Sequence, residues 1–200
     1  MKIHNIEQQT PEWYEIRKGK MTSSNATCIG NAGNGLETYA KEIVLEMFTS
    51  AEKEHFTSRD IERGNELEPM ARELYEFETG LHVEEVGFIE LDEHTGASTD
   101  GLIDDDGVWE CKSPSDKEYF EILLTDKIKS DYIWQVQMEM LVADRKWADL
   151  TFYNPNFKKS MLIYRIERDE EKIEKLRIGI EKGKQLIQSL RKQAEEKLTK

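Results

Sequence analysis

Apolar residues recur along this chain at two spacings, and the change from one to the other marks out its elements. Leu36, Tyr39, Ile43, Val44 and Met47 fall three and four apart, which predicts a helix over 36–50. Before it, Thr10-Pro11-Glu12-Trp13 carries a capping residue followed by proline at the first helical position, and Gly19 stops that short helix. Thr22-Ser23-Ser24 caps a second helix, which ends in the loop Gly30-Asn31-Ala32-Gly33-Asn34-Gly35. A further helix is expected over 66–79, closed by Gly80, with Pro69 either setting its start near Glu68 or kinking it. Residues 82–91, 97–103 and 108–112 then read as strands joined by tight turns. A helix follows Ser113-Pro114 and another covers 131–143. Strands are expected at 147–153 and 161–167, and a long helix at 169–198. Helices, strands, a helical crossover and more strands make an α/β or α+β fold, with a mixed central sheet flanked by helices. No repeat or interdomain linker interrupts the pattern, so residues 1–200 are read as one domain.

Composition narrows the picture. A hydrophobic fraction of 38% and a charged fraction of 34% describe a globular chain, and no apolar run approaches the roughly 18 residues of a membrane span. The amino terminus lacks the apolar core of a secretory signal. Cys28 and Cys111 are too few for a disulfide framework, so reduced thiols and a cytoplasmic location are expected. Cys111 should point into the core. The net charge of −13 argues against a broad basic surface. It leaves nucleic acid open, because metal ions can neutralise phosphate and basic residues can line a groove. Residues 181–200 are net basic, as a solvated helix face would be.

Candidate chemistry gathers in Ser98-Thr99-Asp100-Gly101 and Glu110-Cys111-Lys112, separated by the turn signal Asp104-Asp105-Asp106-Gly107. A hairpin centred on Asp105 would set Asp100 across from Glu110 and Ser98 across from Lys112. Glu110 and Lys112, two apart on a strand, share a face. Opposed carboxylates about 5 Å apart at Cβ repel each other, and a divalent cation between them turns that cost into a binding site. The ion would acidify a bound water and the ammonium would orient it. Glu68, bordering the apolar stripe of its helix, is a third candidate carboxylate. Gln137 lies on the same stripe as Ile133, Met140 and Leu141, so its amide needs partners. It is either a structural amide or part of an active-site floor, and Gln135 is expected at the periphery. Arg17, near Trp13 and the hydroxyl-rich Thr22-Ser23-Ser24, suits a phosphate site, with an ordinary cap and a surface arginine as the plainer reading.

Taken in order, these blocks resemble the phage lambda exonuclease family, the YqaJ-like viral recombinases of the PD-(D/E)XK nuclease superfamily. The likeness runs from Glu12 to Asp169. It includes Trp13-x3-Arg17, Arg63-Gly64 leading to Glu68, Tyr75-Glu76-Phe77, Ser98-Thr99-Asp100-Gly101-Leu102 and Glu110-Cys111-Lys112-Ser113-Pro114. Ile128-Lys129-Ser130, Tyr132 with Gln135-Val136-Gln137, and Tyr153-Asn154-Pro155 complete it. The resemblance implies a restriction-endonuclease-like core and Mg2+-dependent 5′→3′ digestion of one strand of linear duplex DNA to 5′ mononucleotides, leaving 3′ tails for recombination. Two Mg2+ ions, replaceable by Mn2+, would be held by Asp100, Glu110, the backbone carbonyl of Cys111 and Glu68. Lys112 and Gln137 would act on the attacking water, and Arg17, Ser24 and Ser98 would hold the 5′-phosphate. The family further implies a homotrimeric ring threaded by DNA, a single-strand annealing partner, and expression from a phage or prophage in a bacterial host. Pro69 and residues beyond 170 depart from the family pattern. Alternatives are an endonuclease of the same superfamily that cuts internally, and a non-cleaving scaffold that binds DNA ends. Retention of Asp100, Glu110 and Lys112 together weighs against the scaffold.

Overall fold

A computed structural model describes residues 1–49 and 59–198, with side chains from residue 62 in the second stretch. Its elements are β1 (Lys2–His4), α1 (Pro11–Arg17), a 3-10 turn (Ser23–Asn25), α2 (Ala26–Asn31), α3 (Asn34–Phe48) and α4 (Arg59–Thr79). There follow β2 (Val83–Glu84), β3 (Phe88–Asp92), β4 (Thr95–Ala97), β5 (Gly101–Ile103), β6 (Gly107–Lys112), α5 (Asp116–Thr125) and α6 (Ser130–Ala143). β7 (Trp147–Tyr153), β8 (Met161–Glu167) and α7 (Glu170–Leu198) complete the order.

The main sheet has the order β2-β5-β6-β7-β8, and a smaller one the order β1-β3-β4. β6 and β7 pair in parallel while the other neighbours are antiparallel, so the sheet is mixed, as the element pattern predicts. A parallel pair cannot be joined by a tight turn, and α5 with α6 forms the crossover. Alternation along β7 divides the core. Ala148, Leu150 and Phe152 face a large cluster with Val136 and Met140 of α6 and Leu176 and Ile180 of α7. Trp109, Ile103 and Tyr153 face a smaller cluster beneath Ala71 and Tyr75 of α4. Each large side chain buried this way stabilises the fold by about 1.5–3 kcal/mol. The polar positions of β7 are satisfied. Asp149 accepts from Tyr75 Oη at 2.6 Å and from Arg165 Nε and Nη2 at 2.5 and 2.8 Å, and Thr151 Oγ1 accepts from Trp109 Nε1 at 3.1 Å.

Several boundaries differ from the sequence pattern for physical reasons. The expected strand 82–91 is two strands in different sheets, parted at Gly87, where a Cβ would collide with the Ile6 carbonyl oxygen. The expected strand 97–103 is likewise broken over Ser98–Asp100. α4 begins at Arg59 rather than 66 and runs through Pro69. The Thr22 side chain makes no capping bond, and a 3-10 turn precedes α2. α3 ends at Phe48, and both Ser50, its expected last residue, and Lys200 of the basic tail lie outside the described residues. β1, only three residues long and largely exposed, shows no periodicity to detect. Among the described residues no helix is long and apolar enough to cross a membrane.

α7 approaches α2 so closely that a Cβ at Gly179 would run into the Ile29 carbonyl oxygen. Gly179→Ala should therefore lower stability by about 1–3 kcal/mol. Chemical denaturation checks this, and an unchanged midpoint would contradict the close packing.

Candidate active site

The hairpin turns where the Asp-Gly step predicts. Gly101 pairs with Trp109, Leu102 with Val108 and Ile103 with Gly107, which centres the turn on Asp105. The ladder stops at Gly101, because β5 is only three residues long. At Gly101 itself, β2 crosses so near that a Cβ would collide with the Val83 side chain. The expected strand pairings of Asp100 with Glu110 and Ser98 with Lys112 therefore do not form. Instead Asp100 Oδ2 accepts the Cys111 backbone N–H at 2.8 Å. A carboxylate thus replaces a strand neighbour at the point where β6 outruns β5. Cys111, half-buried, packs with the smaller core cluster on the face away from Glu110 and Lys112.

A cavity of about 220 Å³ opens at this end of β6, lined by Glu68 and Asn65 of α4 together with Asp100, Glu110, Cys111 and Lys112. α4 is tied to the strand exit by Arg63, which donates to the Ser113 carbonyl at 3.0 Å and to the Pro114 carbonyl. Glu110 is 3% exposed. Its Oε1 accepts from Lys112 Nζ at 2.7 Å and Gln135 Nε2 at 2.6 Å, while its Oε2 is buried without a protein partner. Lys112 Nζ also donates to Gln135 Oε1 at 3.1 Å.

Burial, then the charges of Glu110 and Glu68, push the Asp100 carboxyl well above its usual range. Burial, then Glu110, raises Glu68 to about 7. Burial alone would lower Lys112, but Glu110 and Asp100 outweigh it and hold the ammonium above its ordinary value. Three carboxylates face one lysine, and the charge does not balance. Hard oxygen donors, an unpartnered buried carboxylate oxygen and excess negative charge fit a divalent cation such as Mg2+. Among the described residues no three His, Cys, Asp or Glu side chains form a closed ligand cluster. That is compatible with a donor set completed by a backbone carbonyl and by substrate oxygens.

Near this cavity lies the second group of candidate residues. Arg17 Nη1 donates to Ser98 Oγ at 2.6 Å, and its guanidinium carbon lies 4.0 Å from the Trp13 ring centroid. Trp13 is fixed by an indole bond to the Gly87 carbonyl at 2.9 Å. Burial lowers the Arg17 pKa. Ser98 stands two residues before Asp100, which joins the two groups. Ser24 is more remote. It borders a separate groove with Asn25, Asn34 and Asp131, and it connects back through Thr22 Oγ1 at 3.3 Å to Tyr39 Oη at 3.3 Å. Tyr39, which also accepts the Thr22 N–H at 3.1 Å, was assigned by periodicity to the core stripe, so its polar role went unseen.

The two glutamines exchange roles. Gln137 does not reach the cavity: its Nε2 donates to the Glu167 carbonyl and its Oε1 accepts the Asp169 N–H, both at 2.8 Å, tying α6 to the connection between β8 and α7. Gln135, expected at the periphery, holds both Glu110 and Lys112. The error has a physical source. α6 is buried on more than one face, so its apolar stripe does not mark the side that meets the strand end. The usable signal was Gln135 with Glu139, an i, i+4 polar pair on a mostly apolar helix. Glu139 is wholly buried, accepts from Gln135 Nε2 at 2.9 Å, and is pushed well above the carboxylate range by burial and by Glu110.

The model of the YqaJ-like viral recombinase domain matches residues 12–146. An alkaline exonuclease from Laribacter hongkongensis, LHK-Exo, is 30% identical, with 95% of this chain and 98% of that one covered at a TM-score of 0.87. The same enzyme in complex with dAMP superposes equally well. A phage-related exonuclease from Haemophilus somnus 129PT, 15% identical over 88% of this chain and 96% of its own, shares the fold at a TM-score of 0.64. The fold is of the PD-(D/E)XK type. No curated protein matches the chain.

In the metal-free protein Glu68 and Asp100 hold protons that the unfolded chain has already released. Their folded values are raised, so stability is full below the unfolded carboxylate range and falls as pH rises through about 7. In EDTA the Tm should drop between pH 5 and 8, on a scale of about 2–4 °C per kcal/mol. Mg2+ should raise the Tm more at pH 8 than at pH 5.5. Equal shifts at both pH values, read by calorimetry, would contradict this electrostatic picture.

Proposed function

The chain belongs to the YqaJ-like viral recombinase family, and on that premise we propose that it is a Mg2+-dependent 5′→3′ exonuclease. It degrades one strand of linear double-stranded DNA to 5′ mononucleotides and leaves 3′ single-stranded tails for phage-type recombination. Family membership and the alkaline exonuclease relative support a nuclease role in such recombination. The observation that carries the finer reading is the unpartnered Glu110 Oε2, buried in the cavity that Asp100 and Lys112 also line, with the Arg17-bonded Ser98 two residues before Asp100 in the chain.

In this reading Asp100, Glu110 and the Cys111 backbone carbonyl would hold one ion, and Glu68 would serve the second. Mg2+ supplies Lewis-acid polarisation of the scissile phosphate and a more acidic water, with Mn2+ able to substitute. Lys112 has three N–H donors, of which Glu110 and Gln135 take two. The third donates to the attacking water or to a phosphate oxygen. Gln135, rather than Gln137, sets the direction in which that donor points. Arg17, stacked on Trp13 and bonded to Ser98, keeps further donors of its fork for a terminal phosphate. Ser24, assigned to the same phosphate by the family resemblance, borders a separate groove and is linked through Thr22 to Tyr39. A phosphate anchored at Arg17 positions the strand by its end, so cleavage counts from a terminus. A homotrimeric ring threaded by DNA and a single-strand annealing partner complete the reading, in the cytoplasm of a bacterial host.

Linear duplexes with 5′-phosphate or 5′-hydroxyl ends, beside a covalently closed circle, test this in Mg2+ and in EDTA. The phosphorylated linear DNA should lose one strand to mononucleotides in Mg2+ alone, and the circle should survive. Nicking of the circle would favour internal cutting, and end binding without hydrolysis would favour a scaffold. A hydrogen bond to a charged group contributes about 1.5–3 kcal/mol, so Arg17→Ala should weaken the preference for phosphorylated ends about ten-fold or more. An unchanged preference would remove Arg17 from the pocket.

A further inference from the structure

We propose that Glu139 is the positioning residue that fixes which way the Gln135 amide faces, and through it the pose of the Lys112 ammonium. This rests on the nuclease reading above and adds to it a residue outside the cavity. Glu139 sits one helical turn after Gln135 and is 0% exposed. Its Oε1 accepts from Gln135 Nε2 at 2.9 Å, and the same nitrogen donates to Glu110 Oε1 at 2.6 Å. Both amide hydrogens therefore end on carboxylates, and the amide oxygen is left for Lys112 Nζ at 3.1 Å. Turned over, the amide would set its oxygen against the Glu110 carboxylate and its NH2 against the Lys112 ammonium.

Glu110 supplies one of those two constraints, but it borders the cavity and its environment changes with whatever enters. Glu139 does not line the cavity, so a bound group does not touch it directly. Packing gives no reason for a carboxylate here. Glu139 Oε2 is buried without a partner, an arrangement that destabilises the fold. An apolar residue of similar size would stabilise α6 at this position, yet nothing would then accept the second amide hydrogen. Residues that orient a catalytic group from behind typically alter activity 10- to 100-fold when removed.

The test compares Glu139→Leu, Glu139→Gln, Gln135→Leu and the double Leu variant on 5′-phosphorylated linear duplex, with melting temperatures measured in parallel. Glu139→Leu should lower kcat about ten-fold with KM unchanged and Tm unchanged or raised. Glu139→Gln keeps an acceptor oxygen and should retain kcat within about three-fold of the parent. Adding Glu139→Leu to Gln135→Leu should cost nothing further, because Glu139 acts through Gln135. A kcat for Glu139→Leu within two-fold of the parent overturns the proposal, as do additive losses in the double variant or a loss of kcat that tracks a loss of Tm. A parent protein that digests no DNA overturns the nuclease reading, and this proposal with it.

Discussion

Negative charge buried where one strand outruns its neighbour is the constraint on which the rest of this molecule depends. Glu110 is 3% exposed, with one oxygen bonded to Lys112 and Gln135 and the other unpartnered. Asp100 and Glu68 face the same cavity. Desolvation disfavours each charge, and the charges disfavour one another. A fold tolerates such a cluster only if something compensates it. Lys112 does so in part, and Asp100 gains a backbone N–H from Cys111. In the metal-free protein protons on Glu68 and Asp100 take up the remainder, and in the proposed function a cation would replace them.

The architecture sets this up by economy of length. β5 is three residues long and stops at Gly101, so the end of β6 has a strand neighbour on the β7 side alone. The opening left by β5 is where α4 brings Glu68 and the segment Ser98–Asp100 bends out of the ladder. Behind the strand, α6 supplies Gln135 and Glu139 from one face and Gln137 from another. The same helix therefore orients the cavity and anchors α7. Ser98 lies two residues upstream of Asp100, so the Arg17–Ser98 pair and the carboxylates are joined by a very short stretch of chain.

Much of this was legible in the chain, because strong local signals carried it. The Asp-Gly step centred the hairpin correctly, and the buried run 147–153 and the strand 161–167 fall where the pattern places them. What escaped depended on tertiary context. The glutamines were misassigned because periodicity reports burial and not which neighbour a buried face meets. α4 starts seven residues before its expected start and carries Pro69 in its interior, since packing of Ala71 and Tyr75 overrides the local preference against proline. Strand 82–91 divided because Gly87 allows Ile6 to approach, a contact 81 positions away in the chain. The Asp100–Glu110 partnership was right in proximity and wrong in kind: a side chain, not a strand pair, spans the gap.

The most direct measurement is the anomalous difference density from crystals soaked in Mn2+. A peak against the Asp100 and Glu110 carboxylates and the Cys111 carbonyl, absent from a Glu110→Gln variant, is the expected result. Crystals that take up Mn2+ elsewhere while this cavity stays empty would contradict the claim that the buried carboxylates are arranged for a cation.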